Sequence, residues 1–136
     1  MKVTVQGINR RPFWFVSLAV TSDQDPDVFT RLAVVKVGSS SLRGEDGRLD
    51  RDQVASLADQ IVRARQDGTR IVLVSSGAVA AGMGLIGLDR RPTDLPTLQA
   101  CAAAGQGELI HEYQKHLVGH GLNCAQILLS QDDFVR

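Results

Sequence analysis

Aromatic residues are scarce in this chain: Phe, Trp and Tyr make up 4% of its 136 residues. A surface that stacks nucleic-acid bases needs more of them. An excess of charge of either sign is also missing, because Lys+Arg and Asp+Glu both number 15 and the formal net charge is zero. That balance argues against a nucleic-acid interface and against a polybasic membrane patch. Cysteine is limited to Cys101 and Cys124, which fit no metal-ligand spacing. The pair suits a reduced, cytoplasmic chain, with a single disulfide as the alternative. The N-terminal "RRPFWFVSLAV" faintly resembles a signal peptide. Its apolar run is brief, begins after Pro12 and contains Ser17, so it is too short to span a bilayer.

What is present suits one domain with a buried core, since 43% of the residues are hydrophobic. Residues 1–30 read as an extension of unknown role or a misplaced translation start, with "TSDQDPD" as a polar linker. From Arg31 the pattern is regular. "RLAVVKV" is a buried-strand candidate that opens into "GSSSLRGEDGR". Asp50, with Gln53 three residues on, suits a helix cap. Val54, Leu57, Ala58, Ile61 and Val62 then form one apolar helical face, and Gly68 ends it. "RIVLV" (70–74) is a second strand without alternation, which predicts that both its faces are covered. "SSGA" leads into the small-residue helix "AVAAGMG". Pro96 suits a first helical turn, and a longer helix is predicted from about Thr97 to Val118. Its inner stripe is Leu98, Cys101, Ala102, Gly105, Leu109, Tyr113 and Leu117. "NCAQILLS" (123–130) is a third strand, and Ser130 with Asp133 looks like the cap of a further helix. Strand and helix alternate, which predicts an α/β fold with a mostly parallel sheet. A cap with no helix behind it suggests the front part of a longer domain.

Several motifs invite chemistry. "GMGLIG" (82–87) has the literal form of a dinucleotide fingerprint, but it does not directly follow a strand. No Walker A pattern and no G-x-S-x-G elbow occurs, so the serines have no base placed by the sequence. His116 and His120 lie four apart, yet with no third ligand nearby they read as solvated histidines. Two strand ends remain, "KVGSSS" and "VSSGA". In a parallel sheet both turns fall at the carboxyl edge, where ligands bind. Each offers a glycine whose backbone N–H can approach an anion closely. "SSGA" also opens a helix, whose N-terminus attracts negative charge. Lys36 adds a cation from the strand itself. The plainer reading is two ordinary polar turns and a lysine reaching for solvent. Two such turns at one edge favour a phosphate site.

The stretches "VVKVGSSSL", "RIVLVSSGAVAAGMGLIGL", "LQACAAAGQGELIHEYQKHL" and "AQILLSQDDF" together resemble the amino acid kinase family, and within it the glutamate 5-kinases. The resemblance covers residues 31–136 in order. It implies an α/β/α sandwich around a mostly parallel sheet. It implies transfer of the γ-phosphoryl group of ATP, with Mg²⁺, to the side-chain carboxylate of L-glutamate, the first step of proline biosynthesis. It implies that Lys36, with Gly38 and Ser39, contacts the ATP phosphates, and that Ser76, with Gly77, contacts glutamate. No residue here is implied as a metal ligand. A homo-oligomer is implied at full length, with no nucleic-acid or membrane partner. The family's nucleotide loop, organising aspartate and second catalytic lysine have no match in this sequence. The expectation is therefore an acceptor-side part, inactive alone. Relatives acting on acetylglutamate, aspartate, carbamate or a phosphorylated acceptor are the alternative, as is a non-catalytic fragment.

Overall fold

The computed structural model describes residues 15–21, as backbone, and residues 31–129. The linker proposed at "TSDQDPD" begins at Thr21, which the structure assigns to the first strand, and its other residues, with the cap at Ser130, lie outside the described residues. Seven main elements follow in order: β1 (Phe15–Thr21), β2 (Arg31–Val37), α1 (Arg51–Gln66), β3 (Thr69–Ser75), α2 (Ala78–Ile86), α3 (Leu95–Leu117) and β4 (Asn123–Leu129).

The helices start where their caps dictate. The Asp50 carboxylate accepts from the Gln53 N–H at 3.0 Å and opens α1. Arg63 and Arg65 in its last turn suit the negative end of the helix dipole. Gly68, at φ +75°, then takes the left-handed conformation that turns the chain into β3. The Asp94 carboxylate accepts from the Thr97 N–H at 2.9 Å, and the Thr97 side chain together with that bond holds its pKa below the usual carboxylate value. With Asp94 as cap and Pro96 in the first turn, α3 begins at Leu95, two residues ahead of the sequence estimate.

The sheet order is β2-β3-β1-β4. β2 and β3 pair in parallel, while β1 pairs antiparallel with both β3 and β4. Strands β2, β3 and β4 therefore run one way and β1 runs against them. The three expected strands share one direction, and the N-terminal segment supplies a fourth between two of them.

The helices cover one face of this sheet. Val54, Ile61, Leu73, Leu109, Tyr113 and Leu117 belong to one buried cluster, with Ala33, Val35 and Val37 of β2 packed against it. On the other face Leu32, Val34 and Ile127 are about half exposed. Strand β3 therefore alternates: Ile71, Leu73 and Ser75 are buried, whereas Val72 and Val74 are half-buried. The expectation of a strand covered on both faces is corrected here. The described residues build the sheet and one helical layer of the sandwich, and no helix among them is long and apolar enough to cross a membrane.

Glycines set the closest helix contact. A Cβ on Gly82 would overlap the Cys101 carbonyl, and one on Gly105 would overlap the Ala78 carbonyl and the Gly82 amide. Helices α2 and α3 thus touch backbone to backbone. This accounts for "GMGLIG": Gly82 is a packing glycine, and Gly87, at φ +78°, caps α2.

Candidate active site

The parallel register between β2 and β3 sets Lys36 opposite Val74 and Val37 opposite Ser75. Both strands then end, and the two Gly/Ser turns emerge side by side at one sheet edge. After β2, Gly38 leads into a short 3₁₀ turn, Ser39–Leu42, closed by the Ser41 N–H donating to the Gly38 carbonyl at 3.1 Å. After β3, Ser76 and Gly77 lead into α2, and the Gly77 carbonyl accepts the first helical bond from Ala81 at 3.1 Å.

The turns also touch. A Cβ on Gly77 would come within 2.9 Å of Leu42 Cδ1 and 3.3 Å of Leu109 Cδ1. Leu42, from the first turn, therefore packs directly on the second, and both leucines are almost fully buried. Glycine is needed at Gly77 because two packed side chains occupy the space that a Cβ would fill.

Lys36 points to the open side of the edge strand and is exposed, yet its amine stays near the turn. A Cβ on Gly38 would lie 3.6 Å from Lys36 Nζ and 3.8 Å from Ser40 Oγ. A cation and a hydroxyl therefore converge on a residue with no side chain of its own, which is the donor set an anion needs. A cavity of about 230 Å³ adjoins this point, lined by Lys36, Ser41 and the α1 side chains Gln53, Ser56 and Gln60. Spacing marked Gln53 only as a capping residue and drew no attention to Ser56 and Gln60, which lie off the apolar stripe. Ser76 is half-buried at the second turn and Gly77 is buried.

Ser75 was among the serines for which the sequence placed no base, and it drew no role there. Its hydroxyl is buried and accepts from the Gly77 N–H at 3.3 Å. Strand alternation carries the signal, since 71, 73 and 75 share one face. Below it sits Tyr113, 1% exposed. Burial pushes its phenol up to about 12, a shift that the Ser75 side chain partly opposes.

Other candidates lead elsewhere. α3 stops at Leu117, so His116 lies on the helix and His120 in the 3₁₀ turn beyond it. Among the described residues no group of three or more His, Cys, Asp or Glu could hold a metal ion. Cys101 is buried in α3, Cys124 is half-buried in β4, and both are free, which removes the disulfide alternative. Glu108 and Glu112 of α3 pair with Arg51 of α1 at 2.7 and 3.2 Å, and Lys115 adds a second cation to Glu112 at 2.9 Å. These carboxylates join two helices.

Comparison with known proteins agrees with this geometry. The model of the amino acid kinase family matches residues 31–136. The chain is 52% identical over 106 residues to a glutamate 5-kinase of Thermobifida fusca, covering 78% of this chain and 27% of that protein. It is 52% identical over 101 residues to one of Streptococcus suis, covering 74% and 28%. It is 48% identical over 107 residues to one of Rhodopirellula baltica, covering 79% and 28%. The chain thus spans little more than a quarter of the length of the curated relatives it matches. The match takes in both turns, the strands that carry them and the helices that cover them, and on that ground the chain belongs to the amino acid kinase family.

Proposed function

We propose that this chain is the acceptor-side part of an ATP-dependent glutamate 5-kinase. The reaction transfers the γ-phosphoryl group of ATP to the side-chain carboxylate of L-glutamate. A carboxylate oxygen forms the new bond to phosphorus, the bond to the β-phosphate oxygen breaks, and ADP leaves. The product, glutamyl 5-phosphate, enters proline biosynthesis. The observation that carries this reading is the contact between the two turns, with Lys36 Nζ held over Gly38 on one side and Ser76 beside Gly77 on the other.

Phosphoryl transfer depends on positioning and charge stabilisation more than on covalent help from the protein. Lys36 offsets charge on the phosphates of ATP, and the backbone around Gly38 and Ser39 adds N–H donors that need no side chain. Ser76 and Gly77 receive glutamate, where the start of α2 favours a carboxylate. Mg²⁺, when bound with ATP, would neutralise further phosphate charge. The described residues group no set of ligands for it, so no step is assigned to them through the metal. The expected partners are the small molecules L-glutamate and ATP, with a homo-oligomer at full length and a cytoplasmic location.

The test is glutamate-dependent ADP release by a full-length protein carrying this segment. Turnover is expected with L-glutamate and not with acetylglutamate, aspartate or carbamate. Lys36→Ala should lower kcat by at least about a hundredfold, the scale for removing one preorganised charge stabiliser. Near-normal turnover in that variant would remove Lys36 from the mechanism.

A further inference from the structure

Tyr113 has a role that packing alone does not explain. Its ring fills the core under β3, but its hydroxyl is fully buried and makes no hydrogen bond among the described residues. A buried hydroxyl left unpaired costs about 1–3 kcal/mol, so a phenylalanine would suit a purely apolar position better. The buried Ser75 hydroxyl, at the end of the inward face of β3, is near enough to influence this phenol but does not bond it in this arrangement. Ser75 is in turn the acceptor for the Gly77 N–H at 3.3 Å, a long bond that a small movement would tighten. Leu109, one helical turn before Tyr113 on α3, packs against Gly77 from the same side.

We propose that Tyr113 is a positioning residue for the acceptor turn: its hydroxyl engages Ser75, Ser75 holds the Gly77 N–H, and Ser76 is thereby fixed in the orientation that receives the carboxylate substrate. This rests on the glutamate kinase reading above and adds a residue from α3 to the turn between β3 and α2. Tyr113 touches no substrate. It acts through the orientation of one hydroxyl, since Ser75 Oγ presents its lone pair to Gly77 only while its own rotation is restrained. Ser76 remains the residue that meets the ligand.

The test uses Tyr113→Phe, which keeps the ring, with Ser75→Ala and the double variant, in a full-length protein carrying this segment. Each single change should raise KM for L-glutamate about fivefold, the worth of one neutral hydrogen bond, with KM for ATP unchanged and kcat within about twofold. The double variant should be no worse than either single one, because both break the same chain of contacts. An unchanged KM for glutamate, or losses that multiply in the double variant, overturns the proposal. Amide exchange at Gly77 reads the same coupling without any kinase assay, and it should quicken to the same extent in all three variants. If the unaltered protein fails to phosphorylate glutamate, the function proposed above falls. Equal quickening at Gly77 would then still uphold the Tyr113–Ser75 support of the turn, and unchanged exchange would sink it.

Discussion

Strand alternation separates Ser75 from Ser76. Ser75 ends the buried face of β3, while Ser76 starts the turn and is only half-buried. The two hydroxyls, adjacent in sequence, therefore have different surroundings. Ser76→Ala in a full-length protein should raise KM for glutamate more than KM for ATP. A lost hydrogen bond to a charged ligand costs roughly 1.5–3 kcal/mol, or about ten- to a hundredfold. Equal effects on both substrates would contradict the assignment. Tyr113 makes a second prediction at this scale, in pH. An exposed phenol ionises near 10.0, whereas this one is pushed up to about 12. Its contribution to stability is intact below the lower value and is lost as pH climbs toward the upper one, because the unfolded chain releases its proton first. Unfolding by urea should show stability falling between about pH 10 and about pH 12 more steeply in the unaltered chain than in Tyr113→Phe. Parallel slopes would show that the phenol does not carry the effect.

Elements meet through glycine and through one ionic cluster. Gly105 faces the backbone of α2 with no room for a methyl group. Gly105→Ala should therefore destabilise the fold by about 3 kcal/mol or more, since a backbone clash cannot be relieved by a rotamer change. Gly107, two residues on in α3, would meet nothing with its Cβ. Gly107→Ala should be neutral or stabilising by about 0.5–1 kcal/mol, through helix propensity. Thermal melts of the pair decide this, and similar losses in both would refute close α2–α3 contact. The link between α1 and α3 is polar instead. Burial pushes the Glu112 carboxyl up, but the Lys115 hydrogen bond and the charges of Arg51, Lys115 and His111 outweigh it and leave the pKa below its usual value. The cluster thus adds stability above the ordinary carboxylate range and loses it as pH falls through the lowered value.

Across the whole molecule, β1 is the element that links β3 to β4 in the sheet. It occupies a slot between β3 and β4 and pairs with both. The family match begins at Arg31, so this strand comes from outside the matched region. Removing residues 1–30 would leave two strand edges unpaired, and "RIVLV" and "AQILL" carry no charge to discourage pairing between chains. The shortened chain should associate, as read by light scattering after size-exclusion chromatography. A stable monomer with a cooperative melt would show that β1 is dispensable. The unshortened chain should release no ADP in response to glutamate, because it spans little more than a quarter of its relatives' length. Glutamate-dependent turnover by this chain alone would overturn that expectation.

Local chemistry made much of this legible in the sequence. Asp50 and Gly68 bracket α1, Gly87 and Gly121 take left-handed turns where chain segments end, and the two Gly/Ser stretches follow the strands that carry them. Each depends on neighbours within about four residues, the range over which capping and helical periodicity act. What lay beyond that range needed the fold. The place of β1 depends on partners more than fifty residues away, and an apolar run of seven residues names no partner. The direction of Ser75 followed only once β3 was seen to bury one face fully and the other by half. The pressure of Leu42 and Leu109 on Gly77, and the backbone contact of Gly82 with α3, arise from close packing between distant segments. The sequence thus determined the two Gly/Ser turns and the lysine that precedes the first of them. The tertiary structure brought them to one edge, because only the parallel pairing of β2 with β3 ends both strands at the same level.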